Sequence, residues 1–346
     1  MTHVPGLDEM AHVRLETLMR EHDLLNADES LFVSLISGGR SNITYGVESA
    51  TKSWVLRRPP LGHVLSTAHD MEREYRVLTG LSRAGGTVPV PKAVFVCGNA
   101  EVLGAPFYLM EQVSGDVLRT AKEALSLSPA HQESVANNLI DVLAALHSVN
   151  PDSVGLGDFG RPEGFMQRQV ARWTRQLNDS RSRDLDGIEQ LAEGLRDTVP
   201  AQRYSSIVHG DYRLDNCIVR GGAIATVLDW EMSTLGDPLS DLGLFDVYYS
   251  GLAGIDNPVV QAIDGLGAYP SIDHLVDRYA CRTGYDMSHL DWYVSFAWFK
   301  FAVILEGIHF RSTLGATVGD GFDGVSELVQ PSIDRGRAAL AGQRPR

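Results

Sequence analysis

The chain has 346 residues, a formal net charge of −14 at pH 7, and a globular composition, with 44% hydrophobic and 21% charged residues. Its length allows one large domain or two lobes, and its negative charge argues against generic binding to nucleic acids or anionic membranes. The three cysteines, Cys97, Cys217 and Cys281, are far apart and odd in number, so they predict neither a disulfide framework nor a zinc site.

Neither a secretory leader nor a membrane span is expected from the sequence. The first thirty residues contain several acidic side chains and lack an apolar core, unlike a signal peptide. The most apolar stretch, residues 292–308, carries Lys300 and Glu306 and is short for a membrane span. We therefore expect a cytoplasmic protein without a membrane partner.

The first part of the chain predicts a small lobe of mixed structure. Hydrophobic periodicity and turn residues indicate two helices, at 8–25 and 67–83, and five short strands, at 31–36, 43–48, 54–57, 92–96 and 107–110. Five strands with a helix after the third are typical of an antiparallel α+β lobe, which we assign to residues 1–112.

From Ser128 onward the pattern becomes helical, because Ser128 is a good N-cap and Pro129 suits the first helical position. Further helices are predicted near 163–178, 184–197, 239–250, 271–283, 288–312 and 323–341. The only strands expected here form a hairpin around residues 220–222. Residues 113–346 are therefore predicted to form a large, mostly helical lobe, packed against the first lobe with a cleft between them.

The most informative motif is the segment His209–Asn216, which reads HGDYRLDN and is followed thirteen residues after Asn216 by Asp229. Phosphoryl transfer needs a carboxylate that orients the attacking hydroxyl and oxygen ligands that hold Mg²⁺ on a nucleotide. Asp211 is the candidate base, and Asn216 and Asp229 supply oxygens that suit Mg²⁺. His209 is expected to anchor the loop, and Asp237 and Asp241 to cap a helix and brace the site.

A second group of candidates lies in the first lobe. Small residues between the first two strands, at Gly38, Gly39, Ser41 and Asn42, would let backbone N–H groups approach phosphates, although such a segment is also a common turn. Arg57 on the third strand is placed to reach phosphates, and its neighbour Arg58 would point to the opposite face. Glu74 in the next helix is the best partner for Arg57, with Glu72 second.

With these residues identified, the chain resembles the aminoglycoside phosphotransferase family, a branch of the protein-kinase-like fold, over nearly its whole length. Within it, four segments resemble the kinase domain associated with acyl-CoA dehydrogenases: GGRSNITY (38–45), VLRRPP (55–60), RQVARWTRQL (168–177) and FKFAVILEGIHFRS (299–312).

The resemblance implies a bilobal α+β kinase with ATP or GTP as donor and Mg²⁺ as cofactor. It implies Asp211 as catalytic base, Asn216 and Asp229 as metal ligands, and Arg57 as a phosphate contact where protein kinases have lysine. It also implies that the backbone of Met110, Glu111, Gln112 and Val113 binds the nucleotide base.

The region around residues 161–184 carries six arginines against three acids, a local charge of +3 in an acidic chain. Arg168, Arg172 and Arg175 share one face of a predicted helix. They predict either a solvated basic surface or a landing site for an anionic acceptor. The aromatic residues at 292–299 predict either core packing or an apolar pocket.

Three functions remain open from the sequence. The leading hypothesis is a small-molecule O-phosphotransferase that acts on a hydroxyacyl-CoA or hydroxy acid. The alternatives are an antibiotic kinase, which the basic patch argues against because aminoglycosides are polycations, and a non-catalytic nucleotide-binding module, which would have no need of a base at Asp211.

Overall fold

The computed structural model describes residues 6–38, 42–60, 70–252, 262–314 and 324–343. The chain divides into two compact units, Met1–Ser114 and Gly115–Arg346. The boundary placed from the sequence lies between residues 112 and 113. Each unit is built around its own core, and the candidate residues are divided between them.

The first unit is an antiparallel sheet of five strands with the order β1-β2-β3-β5-β4. The strands are β1 (Phe32–Gly38), β2 (Ile43–Glu48), β3 (Ser53–Arg58), β4 (Ala93–Cys97) and β5 (Phe107–Glu111), and the helices are α1 (Glu9–Glu21), α2 (Met71–Ser82) and the short α3 (Ala100–Leu103). The predicted five strands, with a helix after the third, are confirmed. Helix α3 was not expected, because Asn99, which caps it, also favours a turn.

Alternation along β3 shows why the two faces of this sheet differ. Trp54 and Leu56 are buried in a core shared with Leu15 and Met19 of α1. The alternate residues of the strand, Val55 and Arg57, point to the other face, because successive strand side chains alternate. A polar cluster can therefore assemble on the second face while α1 covers the first.

The second unit is mostly helical, as predicted. Its helices are α4 (Ala121–Leu125), α5 (Pro129–Ser148), α6 (Phe165–Ser180), α7 (Ile188–Asp197), α8 (Leu239–Ser250), α9 (Ile272–Thr283), α10 (Leu290–Thr313) and α11 (Val329–Leu340). Its strands are β6 (Ser206–Val208), β7 (Cys217–Arg220), β8 (Ala223–Val227) and β9 (Thr234–Gly236).

The expectation of a single hairpin in the second unit is wrong. Strands β7 and β8 form the predicted hairpin, but β6 and β9 form a second antiparallel ladder that the sequence pattern did not reveal. Ser206, Ile207 and Val208 of β6 are all buried. A strand of three residues without alternation carries no periodic signal. This ladder matters because the segment from His209 to Asn216 leaves directly from the end of β6.

Helix α10 is the main core helix of the second unit. By length and composition alone it could cross a membrane, with a mean hydropathy of 1.2 over its most apolar window, but 72% of that window is buried inside the protein. The aromatic residues at 292–299 are buried among the residues of the core, among them Trp298 and Phe299. The core interpretation of this cluster is therefore correct, and the apolar-pocket interpretation is not supported.

Candidate active site

The loop from His209 to Asn216 is held in place by the first turn of α8. Asp241 accepts hydrogen bonds from the backbone N–H groups of His209 at 2.6 Å and of Gly210 at 2.9 Å. Gly210 has a φ of +84°, and a Cβ there would lie 2.8 Å from the carbonyl oxygen of Met232. Only glycine fits this turn without strain. The predicted role of Asp241 as an acceptor for this loop is confirmed.

Asp241 is itself held by a buried polar chain. Its Oδ2 lies 3.2 Å from Nε2 of His147, whose Nδ1 lies 2.6 Å from the hydroxyl of Tyr279. Burial alone would raise the pKa of Asp241, but the hydrogen bond and charge of His147, the charge of His209 and the backbone N–H of His209 lower the pKa of this carboxyl below its ordinary value. A stable carboxylate therefore sits beneath the loop and fixes its backbone.

His209 and Asp237 take the structural roles expected from the sequence. The buried ring of His209 lies with Nε2 2.8 Å from the carbonyl oxygen of Leu228, while Nδ1 accepts the backbone N–H of Asp211 at 3.2 Å. Asp237 accepts the N–H of Leu239, the first residue of α8, at 3.1 Å. Both side chains are engaged with the scaffold, and the other acid of the loop, Asp215, pairs with Arg213, so Asp211 is the carboxylate of the loop best placed to serve a substrate.

Both carboxylate oxygens of Asp211 accept hydrogen bonds from other side chains. The hydroxyl of Tyr248 donates to Oδ1 at 2.8 Å, and Nδ2 of Asn216 donates to Oδ2 at 2.9 Å. The Asn216 amide also donates to the backbone oxygen of Asp211 at 2.9 Å. Each carboxylate oxygen has two lone pairs, so a substrate hydroxyl can still donate to Asp211 in this fixed orientation.

Asn216 and Asp229 are brought together by the β7–β8 hairpin. Asn216 immediately precedes β7, and the N–H of Leu228 donates to its carbonyl oxygen at 2.8 Å, so the residue before Asp229 is paired with Asn216 itself. Asp229 has a left-handed backbone, with φ 61° and ψ 65°. For a non-glycine residue this conformation is uncommon and often marks a functional position.

The donor set fits Mg²⁺ that is shared with a nucleotide. The amide nitrogen of Asn216 is committed to Asp211, which orients its carbonyl oxygen toward a different partner. Within the described part of the chain, no group of three or more His, Cys, Asp or Glu side chains is arranged to hold a metal ion. Mg²⁺ is commonly held by one or two protein oxygens together with phosphate oxygens and water. These two side chains suit that arrangement better than a metal site made of protein alone.

Arg213 and Lys300 complete the surroundings of Asp211. Arg213 pairs with Asp215 and stacks over Tyr248 at 4.6 Å from the ring centroid. Lys300 of α10 donates from Nζ to the carbonyl oxygen of Gly210 at 3.1 Å. Neither Tyr248 nor Lys300 was among the predicted site residues. Lys300 had a detectable signal, because a lone lysine in an apolar helix must find a polar partner when it is buried.

In the first unit, Arg57 and Glu74 form the predicted pair. Arg57 Nη1 lies 3.4 Å from Glu74 Oε2 in an ion pair whose side chains are only 11% and 2% exposed. Glu74 also accepts hydrogen bonds from the hydroxyl of Tyr108 at 2.9 Å and from Nδ2 of Asn42 at 3.0 Å. The pairing is confirmed, whereas the phosphate contact of Arg57 stays a prediction.

Arg58 faces the other side of β3, as alternation predicts. It is fully buried and donates to the carbonyl oxygens of Leu103 at 3.0 Å and Gly6 at 2.6 Å, and to the hydroxyl of Tyr45 at 3.0 Å. Its guanidinium therefore ties α3 and the segment before α1 to the sheet. The strand register places only one of the two arginines on the Glu74 face.

The predicted phosphate loop is described only at its ends. Gly39 and Ser41 lie outside the described residues, while Gly38 ends β1 and pairs with Ile43. The buried side chain of Asn42 donates to Glu74, the partner of Arg57, and its predicted place in the phosphate loop stays a prediction.

The segment expected to bind the nucleotide base follows the end of β5. Met110 is buried, and Glu111 pairs through its side chain with Lys92 at 3.0 Å. The N–H groups of Glu111 and Gln112 donate to backbone oxygens of Lys92 and Ser53. Among the described residues, the N–H of Val113 has no such backbone partner, so it is the first in this segment that could serve a ligand.

The three arginines of α6 are all exposed and make different contacts. Arg168 turns back to the carbonyl oxygens of Glu163 and Arg161. Arg175 lines a cavity of about 360 Å³ between α6 and α7, together with Arg196. Arg172 is close enough to Lys300 to lower the pKa of that ammonium. Both interpretations of this basic face, a solvated surface and a landing site for an anionic acceptor, stay predictions.

Comparison with known proteins agrees with this geometry. The family model for the phosphotransferase enzyme family matches residues 33–272. Acyl-CoA dehydrogenase family member 11 of Pongo abelii is 32% identical over 321 residues, which cover 89% of this chain and 40% of that protein. The chain thus spans about 40% of the length of this curated relative.

Solved structures give the same result. A Ralstonia eutropha protein named for the aminoglycoside phosphotransferases is 32% identical, with a TM-score of 0.83 over 95% of this chain and 98% of that chain. A ternary complex of an aminoglycoside phosphotransferase with ADP and hygromycin B, 13% identical, shares the fold at a TM-score of 0.61, over 95% of this chain and 98% of that chain.

The fold and the family match together define a small-molecule kinase of the protein-kinase-like α+β class, an enzyme that uses a nucleotide to phosphorylate a hydroxyl group. The chain belongs to the phosphotransferase enzyme family.

Proposed function

We propose that this kinase transfers the γ-phosphate of ATP or GTP to the hydroxyl of an anionic small molecule, a hydroxy acid or a hydroxyacyl-CoA. The observation that carries this proposal is the environment of Asp211. Its carboxylate is held between Tyr248 and Asn216 on a loop that Asp241 braces. Such preorganisation suits a group that orients a substrate hydroxyl and accepts its proton.

Asn216 and Asp229 would hold Mg²⁺, which neutralises the charge that develops on the phosphates during transfer. Arg57, fixed by its pair with Glu74, would contact the phosphates. The N–H of Val113, for which the described residues offer no backbone acceptor, would serve the nucleotide base. The ADP in the hygromycin B complex supports an adenine nucleotide, but none of these residues distinguishes adenine from guanine, so both donors belong in the test.

The proposed acceptor class is supported by the positive charge beside the catalytic loop and by the name of a similar protein. Arg172 and Lys300 place positive charge beside the catalytic loop, which disfavours a polycationic antibiotic through like-charge repulsion. The relative named an acyl-CoA dehydrogenase supports an acyl-CoA or the corresponding acid as the molecule on which the chain acts. A hydroxyl on such a molecule would supply the nucleophile that Asp211 is placed to orient.

The test is nucleotide consumption with Mg²⁺ and either ATP or GTP, measured over a panel of acceptors. The panel contains the positional isomers of hydroxybutyrate, longer hydroxy acids, their CoA esters, and aminoglycosides such as kanamycin. We expect acceptor-dependent turnover on hydroxy acids or their CoA esters. Turnover on aminoglycosides alone would contradict the acceptor class, and nucleotide binding without turnover on any hydroxyl compound would contradict catalysis.

A further inference from the structure

Two cations of the second unit meet at one indole ring. The ammonium of Lys300 lies 5.5 Å from the ring centroid of Trp173, and the guanidinium carbon of Arg172 lies 5.8 Å from the same centroid. Such distances are typical of cation–π contacts. Helices α6 and α10 thus each contribute one positive charge to the same small region.

This region adjoins the catalytic loop. Lys300 donates to the carbonyl oxygen of Gly210, the residue immediately before Asp211. Burial lowers the pKa of Lys300, the carboxylates of Asp211 and Asp241 act to raise it, and Arg172 lowers it further. The ammonium of this half-buried residue is therefore partly desolvated and close to both the candidate base and a second cation.

Neither cation has an acidic partner among the described residues. The flanking arginines do: Arg181 pairs with Glu189, and Arg183 lies 3.1 Å from Glu306. For Lys300, the carbonyl oxygen of Gly210 is the one hydrogen-bond acceptor found in the described part of the chain. An ammonium has three N–H donors, so two remain for a ligand. A partly desolvated cation beside another cation is costly unless an anion completes the site.

We infer that Lys300 and Arg172, gathered around Trp173, form the subsite that binds the oxyanion of the hydroxyl acceptor and makes the enzyme selective for anionic substrates. This inference rests on the proposed phosphotransfer to such an acceptor. The oxyanion is either the free carboxylate of a hydroxy acid or a phosphate of its CoA ester. Lys300 is a specificity-determining residue in this account, and Asp211 remains the group that orients the hydroxyl.

The experiment compares Lys300→Met and Arg172→Met with the wild type on three matched acceptors: a hydroxy acid, its CoA ester and its uncharged methyl ester. Met keeps much of the length of the replaced side chain and removes its charge. We expect the KM for a charged acceptor to rise about 10- to 100-fold, the loss of one charge-assisted hydrogen bond, while the KM for the methyl ester and for the nucleotide stays unchanged.

The three acceptors separate the two sources of the oxyanion. An effect on the free acid alone assigns the subsite to a carboxylate, and an effect on the CoA ester alone assigns it to a phosphate. Lys122→Met, on the exposed surface of α4, is the matched control for loss of one lysine charge and should leave all constants unchanged. An equal fall in kcat for charged and uncharged acceptors, without a rise in KM confined to the charged ones, would overturn the inference, because Lys300 would then act through the loop that it contacts at Gly210 and not on the charge of the acceptor.

Failure of the proposed function is distinguishable from failure of this subsite. If the wild type phosphorylates none of the three acceptors, calorimetric binding of the hydroxy acid and of its CoA ester to the nucleotide-free protein tests the subsite directly. Weaker binding to Lys300→Met supports it, and absent or unchanged binding overturns it. If Lys300→Met does not fold, the same comparisons with Arg172→Met, an exposed position, decide the matter.

Discussion

Tyr248→Phe isolates the grip on the catalytic carboxylate. The substitution removes the hydroxyl that donates to Asp211 Oδ1 at 2.8 Å, and with it a hydrogen bond to Arg213, and keeps the ring over which Arg213 stacks. Burial, followed by the charge of Asp211, raises the pKa of Tyr248 well above its ordinary value, so this hydroxyl is a donor throughout any assay range. A hydrogen bond to a charged group contributes about 1.5–3 kcal/mol, which corresponds to roughly 10- to 150-fold.

Because Asn216 still holds Oδ2, we expect kcat to fall toward the lower end of that range while the nucleotide KM changes little. Steady-state kinetics with a saturating acceptor measures both constants. Tyr249→Phe is the matched control, since the hydroxyl of this neighbouring buried tyrosine donates to the carbonyl oxygen of Pro270 at 2.7 Å and not to the carboxylate. A kcat for Tyr248→Phe within about twofold of the wild type, or an equal loss in Tyr249→Phe, would refute the positioning role.

Three further substitutions test the rest of the site. Arg57→Ala should raise the nucleotide KM. Arg58→Ala removes three hydrogen bonds and should mainly lower Tm. Equal effects of the two variants on the nucleotide KM would contradict the assignment of Arg57 alone to the nucleotide. Asp229→Ala should abolish Mg²⁺-dependent nucleotide binding in calorimetry. An unchanged nucleotide affinity would show that Asp229 is not a ligand of the metal. Asp241→Asn should lower the free energy of unfolding at neutral pH by about 3–5 kcal/mol. Because the pKa of Asp241 in the folded protein lies below its ordinary 3.8, the extra stability of the wild type over the variant should be complete above pH 3.8 and should shrink as the pH falls further. A difference in the free energy of unfolding that does not change with pH would contradict the role of the Asp241 carboxylate.

Local patterns were sufficient where a feature depends on neighbouring residues. Strand alternation separated Arg57 from Arg58, because consecutive side chains must point to opposite faces. Glu74, in the helix that follows the third strand, was predicted as the best partner of Arg57, and the ion pair is present. The spacing of the motif and the chemistry of phosphoryl transfer, together with the family resemblance, supplied the roles of Asp211, Asn216 and Asp229, and those roles stay predictions until they are measured.

Features that depend on distant parts of the chain could not be read from the sequence. Tyr248 and Lys300 reach Asp211 and Gly210 from helices 37 and 90 residues further along the chain. The spacing of the arginines of α6 places them on one face of the helix. In the folded protein Arg168 donates to nearby carbonyl oxygens, whereas Arg175 lines a cavity beside α7. Tertiary contacts, which periodicity does not encode, decide which member of such a set serves the site.

The most direct test of the account is transfer of labelled γ-phosphate from ATP or GTP to the acceptor, measured for the wild type and Asp211→Asn alongside calorimetric titration of the Mg²⁺–nucleotide complex. We predict that the variant binds the nucleotide nearly as well as the wild type but transfers the label about 10²- to 10⁴-fold more slowly, because a positioned general base usually contributes a rate factor of this size. A variant that keeps more than roughly half of the wild-type kcat would contradict the assignment of Asp211 as the base.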